Sequence, residues 1–112
     1  MNAGERAEQV AASYLQRKGL ELIEARYRCR WGEIDLVLRD RGTLVFTEVR
    51  LRRSKSFGGA GESVDRRKQD RIIAAARHYL ADKPARPCRF DVVLLDRLDP
   101  PRIEWIRDAF SA

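Results

Sequence analysis

The chain has 112 residues, 44% of them hydrophobic, enough for one modest core and too few for two, so a single domain spanning residues 1–112 is expected. Its 23 Lys+Arg outnumber 17 Asp+Glu, for a formal net charge of +6, a balance that favours a polyanionic partner and also suits an ordinary solvated surface. No run of about 18 apolar residues occurs and Met1 to Gln9 carries no apolar stretch, which speaks against a membrane span or signal peptide and for a cytoplasmic protein.

From Gly4 to Lys18, Ala7, Val10, Ala11, Tyr14 and Leu15 recur at helical spacing, and Gly19 stands where such a helix would stop. Leu20 to Arg28 reads as a ragged strand. Glu33–Arg39 and Leu44–Arg50 are rich in Ile, Val, Leu and Phe and flank the turn-forming Asp40-Arg41-Gly42-Thr43, which predicts a hairpin. The segment from Arg52 to Gly61 is basic, glycine-rich and aperiodic, hence a loop. Ser63 is placed to cap a second helix running to about Leu80, with Val64, Ile72, Ala76 and Tyr79 on its apolar arc. Arg89 to Asp96 holds a nearly continuous apolar run, expected of a strand covered on both faces, and Ile103 to Ile106 adds a short edge strand after Pro100-Pro101. The order αβββαβ, with a mixed sheet of about four to five strands between two helices, is an α/β class.

Cys29 and Cys88 lack the spacing of a zinc site, and only His78 could join them, so both are expected to be free thiols filling small apolar gaps.

Chemistry concentrates on the hairpin. Pairing Arg39 with Leu44 sets Asp35 opposite Glu48 on one face of the sheet, and Glu33 opposite Arg50. Like charges directly opposed are destabilising, so Asp35 and Glu48 need a shared proton or a cation between them, and a hard divalent ion suits two oxygen ligands. Glu33 with Arg50 reads as a cross-strand ion pair worth roughly 0.2–1 kcal/mol, which competes with a catalytic use of Arg50. Glu8, on the shoulder of the first helix's arc, either reaches the same site or serves the helix dipole. Lys68 falls inside the apolar arc of the second helix, where it either finds an anion or lays its stem along the sheet and snorkels to water.

Gly32-Glu33-Ile34-Asp35-Leu36 followed by Leu44-Val45-Phe46-Thr47-Glu48-Val49-Arg50 resembles the core of PD-(D/E)XK nucleases. More narrowly, Glu8 with Tyr14 and Leu15, Phe57-Gly58, Glu62-Ser63-Val64 with Lys68, and Arg89-Phe90-Asp91-Val92-Val93 make the chain similar to the YraN-type bacterial family. The resemblance implies a restriction-endonuclease-like core similar to that of Holliday-junction resolvases. On that likeness Asp35 and Glu48 would bind Mg²⁺ or Mn²⁺ with help from the Val49 carbonyl, Glu8 would be a supplementary acid, and the partner would be DNA, branched or otherwise structured. A homodimer would be needed to cut two strands.

One position departs from the pattern. The usual motif ends in lysine two residues after the glutamate, and here Arg50 stands there, a group that keeps its charge and does not serve as a base. Lys68 is a candidate to fill that space, and Arg52, Arg53 and Lys55 to contact backbone phosphates beside the site. The readings left open are a metal-dependent endonuclease, a nucleic-acid-binding protein with impaired catalysis, and an interaction module docking through Trp105, Ile106 and Phe110.

Overall fold

The structure, a computed structural model, describes residues 2–52 and 64–112. Its elements run α1 (Ala3–Arg17), β1 (Glu21–Cys29), β2 (Gly32–Asp40), β3 (Thr43–Leu51), α2 (Arg66–Leu80), β4 (Cys88–Leu98) and β5 (Pro101–Phe110). The five strands lie in one sheet in sequence order, antiparallel except for β3 with β4, which are parallel and joined through α2. The expected α/β class is therefore borne out, as αβββαββ. The final strand is the main correction: it runs ten residues along β4 instead of a short edge at 103–106.

Local chemistry fixes the helix ends. Asn2 and Glu5 form a reciprocal capping box at the start of α1. At its end Gly19 takes a positive φ of 99°, its N–H reaching the Gln16 carbonyl and the Leu20 N–H the Leu15 carbonyl, so the chain turns with its last carbonyls satisfied and Leu20 buried. The cap of α2 is Asp65, which accepts the Lys68 N–H at 2.8 Å, and Val64 lies before the helix instead of on its arc. The expected cap Ser63 lies outside the described residues.

Each helix covers one face of the sheet. Ile72, Ala76 and Tyr79 of α2 pack on Ile34, Val37, Phe46 and Val92, while Ala11 and Leu15 of α1 pack on Leu36, Leu38, Val45 and Val93. Ile34 and Leu36 thus belong to opposite layers although one residue separates them. Strand alternation would put both on one face, so β2 changes facing at Asp35. Opposite it on β1, Arg26 has a positive φ of 55° between the paired positions Ala25–Leu36 and Tyr27–Ile34.

Both cysteines are free; Cys29 borders the α2-side core as expected, but Cys88 is exposed instead of filling a gap. No helix among the described residues is long and apolar enough to cross a membrane.

Candidate metal and phosphate site

The regular β2–β3 ladder ends at Leu36 with Thr47. One residue further, the Asp35 side chain takes over: its Oδ2 accepts the Val49 N–H at 2.8 Å, so a carboxylate occupies the place of a strand carbonyl. The same register brings Glu48 next to Asp35, as the hairpin pairing implies. Glu48 follows Leu44 and Phe46 along the α2-facing side of β3 and is only 4% exposed.

A buried carboxylate ordinarily has all its oxygens paired. Glu48 does not. Its Oε2 lies 3.4 Å from Arg50 Nε and 3.8 Å from Lys68 Nζ, whereas Oε1 has no hydrogen-bond partner among the described residues. Burial pushes the Glu48 carboxyl up from its ordinary 4.5 to about 8, the charge of Asp35 adds to the rise, and Lys68 and Arg50 oppose it without prevailing. The two cations alone therefore do not keep the buried Glu48 ionised.

Such a donor set suits a hard divalent cation. Mg²⁺ typically takes one or two carboxylates and completes its shell with water and phosphate oxygens, which Asp35 and Glu48 could provide for. Among the described residues no three His, Cys, Asp or Glu side chains converge, so a closed protein cage does not form there. An open shell is what a substrate phosphate requires.

The remaining candidates are distributed unevenly. Lys68 does meet an anion, since its ammonium faces Glu48 from α2, although a quarter of its side chain stays exposed. Arg50 lies in ion-pair contact with Glu48, two residues before it on its own strand, without a hydrogen bond from its Nε, and not with Glu33, whose carboxylate instead meets Arg28 across β1 at 3.4 Å; the expected Glu33–Arg50 pair is absent. Glu8 is held elsewhere, 2.9 Å from Arg26 Nε, in a cleft of about 360 Å³ between α1 and β1. Arg52 gives its N–H to the Leu95 carbonyl and its guanidinium lies 3.8 Å from Glu104. Arg53 and Lys55 lie outside the described residues. Trp105, Ile106 and Phe110, the docking candidates, border the core on both faces, with Phe110 stacked on Phe90 and Trp105 edge-on to Tyr14.

Sequence reasoning placed Asp91 in a family block and gave it no role. It lies fully buried in β4, where Arg89, the Trp105 indole N–H and the Asp108 backbone N–H all donate to its carboxylate. A lone aspartate within an apolar run and two residues after an arginine is the signal that marks it.

A family model described as "Uncharacterised protein family UPF0102" matches residues 7–95, a span holding most of α1, all of β1 to β3 and α2, and most of β4. The chain belongs to UPF0102. This is the YraN-type family that the sequence blocks resemble. UPF0102 proteins similar to it include one from Nitrosomonas europaea, 54% identical over 98% of this chain and 94% of its own length. A second, from Methylobacillus flagellatus, is 49% identical over 97% and 96%, and a third, from Pseudomonas aeruginosa, 47% over 97% and 92%. The similarity to these relatives thus extends across nearly the whole chain, and the family-model span includes Asp35 and Glu48.

Proposed function

We propose that this UPF0102 protein is a metal-dependent endonuclease that hydrolyses phosphodiester bonds in DNA, with branched or otherwise structured DNA as the substrate class. The observation that carries this reading is the Glu48 carboxylate, buried beside Asp35 with one oxygen unpartnered and two cations on the other. A bound Mg²⁺ or Mn²⁺ would supply Lewis acidity towards the phosphate and the counter-charge that the two carboxylates need. Asp35 and Glu48 would hold that ion, with the Val49 carbonyl as a third donor. Asp35 is positioned by the Val49 N–H, and Glu48, with its raised pKa, would bind the ion as the ionised carboxylate.

Arg50 and Lys68 then face the charge that builds on the phosphate oxygens, a role that needs only fixed positive groups. Arg50 does not act as a base, because its guanidinium stays protonated. Lys68 is the amine nearest Glu48 among the described residues and takes the place of the lysine that the motif usually carries on the strand.

Arg50 also supports a second reading, a nucleic-acid-binding protein with impaired catalysis, because it sets a permanent cation against Glu48 at 3.4 Å. One assay separates the two: branched, single-stranded and duplex DNA incubated with Mg²⁺ or Mn²⁺ and wild-type, Asp35→Ala or Arg50→Lys protein. The nuclease reading expects metal-dependent product that Asp35→Ala abolishes and Arg50→Lys raises by about tenfold or more. Salt-sensitive binding without product in any variant selects the binding protein.

A further inference from the structure

Among the described residues Trp31 is the large hydrophobic side chain left most open, at 55% exposure. It sits in the two-residue turn Arg30-Trp31 that joins β1 to β2, next to the paired residues Cys29 and Gly32. A tryptophan in that position gains nothing from core burial, and singly exposed apolar residues need no special account. Three features set this one apart.

First, the turn ends on a close backbone contact. A Cβ on Gly32 would lie 2.4 Å from the Arg71 carbonyl oxygen, so the strand start packs backbone to backbone on α2 in a way only glycine permits. Second, the surroundings are cationic. The Arg30 guanidinium lies 4.9 Å from the indole centroid, and a cleft of about 190 Å³ beside the turn is lined by Arg30, Arg71 and the ion pair of Arg28 with Glu33, which leaves a net positive charge. Third, the turn begins the strand that carries Asp35. Three residues of β2 lie between Trp31 and Asp35, four steps along the chain and about 13 Å at strand rise.

We propose that Trp31 is a stacking platform for an unpaired nucleobase, with Arg28, Arg30 and Arg71 holding the adjoining phosphates, so that the chain binds nucleic acid containing a single-stranded or splayed segment. An aromatic face with interleaved arginines is the chemistry that takes single strands without reading sequence, because every base has a flat face and every nucleotide a phosphate. A closed duplex offers no free base face to a turn of this kind. The inference rests on the nuclease reading for its placement near a cutting site and narrows the substrate of that site.

The test measures binding apart from cleavage, by fluorescence anisotropy of a labelled short oligothymidylate and of a duplex of equal length, with the full chain in EDTA at low salt. Trp31→Ala is expected to weaken single-strand binding about tenfold and duplex binding by less than about twofold, with Trp31→Phe retaining most of the single-strand affinity. Unchanged single-strand affinity in Trp31→Ala overturns the proposal, as does an equal loss on both nucleic acids. So does a Trp31→Ala protein that binds single strands normally but changes its sedimentation from dimer to monomer, since the indole would then serve a second copy of the chain. Trp31-dependent single-strand binding without cleavage in Mg²⁺ or Mn²⁺ upholds the platform and removes only the nuclease reading. Asp35-dependent cleavage with Trp31-independent binding does the reverse.

Discussion

The sheet contains two buried carboxylates on adjacent strands, Glu48 on β3 and Asp91 on β4, and they have opposite fates. Asp91 is saturated: the Arg89 guanidinium donates to both of its oxygens, and the Trp105 indole and the Asp108 N–H add one bond each. Arg89 extends the network to Asp40, 3.0 Å away. Glu48 has two longer ion pairs, a like-charged neighbour and an unpartnered oxygen. Burial is similar and satisfaction is not, which separates a carboxylate that stabilises β4 against β5 from one that the fold tolerates for another purpose.

Removing each in turn tests that contrast, and the largest effect belongs to Asp91. Asp91→Ala leaves the Arg89 guanidinium facing only Asp40 and strips the Trp105 and Asp108 donors of their acceptor. A destabilisation of about 3–5 kcal/mol is expected in urea unfolding. A loss below about 1 kcal/mol would show that water replaces the network and would break the comparison.

Glu48→Gln is expected to act the other way on stability while abolishing cleavage. Folding raises the Glu48 pKa from 4.5 to about 8, so between those values the folded apoprotein binds more protons than the unfolded chain and its stability falls as pH rises. The neutral amide removes that slope, with a gain on the order of 1–3 kcal/mol at pH 9 and little change at pH 5. Thermal melts across this range in EDTA check it. Mg²⁺ added to the wild type should recover stability chiefly above pH 8, where the ion no longer competes with a proton. A pH-independent difference between Glu48→Gln and wild type would mean that Asp35 and the two cations already balance the charge.

Legibility in the sequence followed the same division. The hairpin register, the end of α1 at Gly19 and the neighbourhood of Asp35 and Glu48 could all be read because period-2 alternation and turn chemistry are local. The pairing of Glu33 was misassigned because β2 has neighbours on both sides, and the charge on β1 is the one it meets. Asp91 escaped because its partners come from a strand whose extent is set by pairing with β4, which periodicity does not register: Pro101, Arg102, Asp108 and Ala109 break any alternation in β5. Whether a buried acid is saturated is a property of the assembled sheet.

Lys68 sharpens the comparison from the cationic side. With the ammonium gone, Glu48 keeps only Arg50, and its carboxyl should be pushed up further, because Lys68 lowers it more than Arg50 does. Lys68→Ala should therefore bind Mg²⁺ less readily near neutral pH and cleave about tenfold more slowly, with the loss partly recovered at higher pH. Full activity in this variant would remove Lys68 from the site and leave Arg50 as the working cation.

The smallest effect is expected at Glu8. Its carboxylate is committed to Arg26, which also binds Glu5 at 3.1 Å, and both contacts lie towards the α1 side of the sheet, while Glu48 faces α2. An exposed ion pair of this kind contributes little to folding, and Glu5 remains to hold Arg26 if Glu8 is changed. Glu8→Gln should leave the unfolding midpoint close to wild type and slow cleavage less than Lys68→Ala does. The opposite ranking would carry a specific meaning: a loss as large as that of Asp35→Ala would show that Glu8 leaves Arg26 to act at the Asp35–Glu48 site.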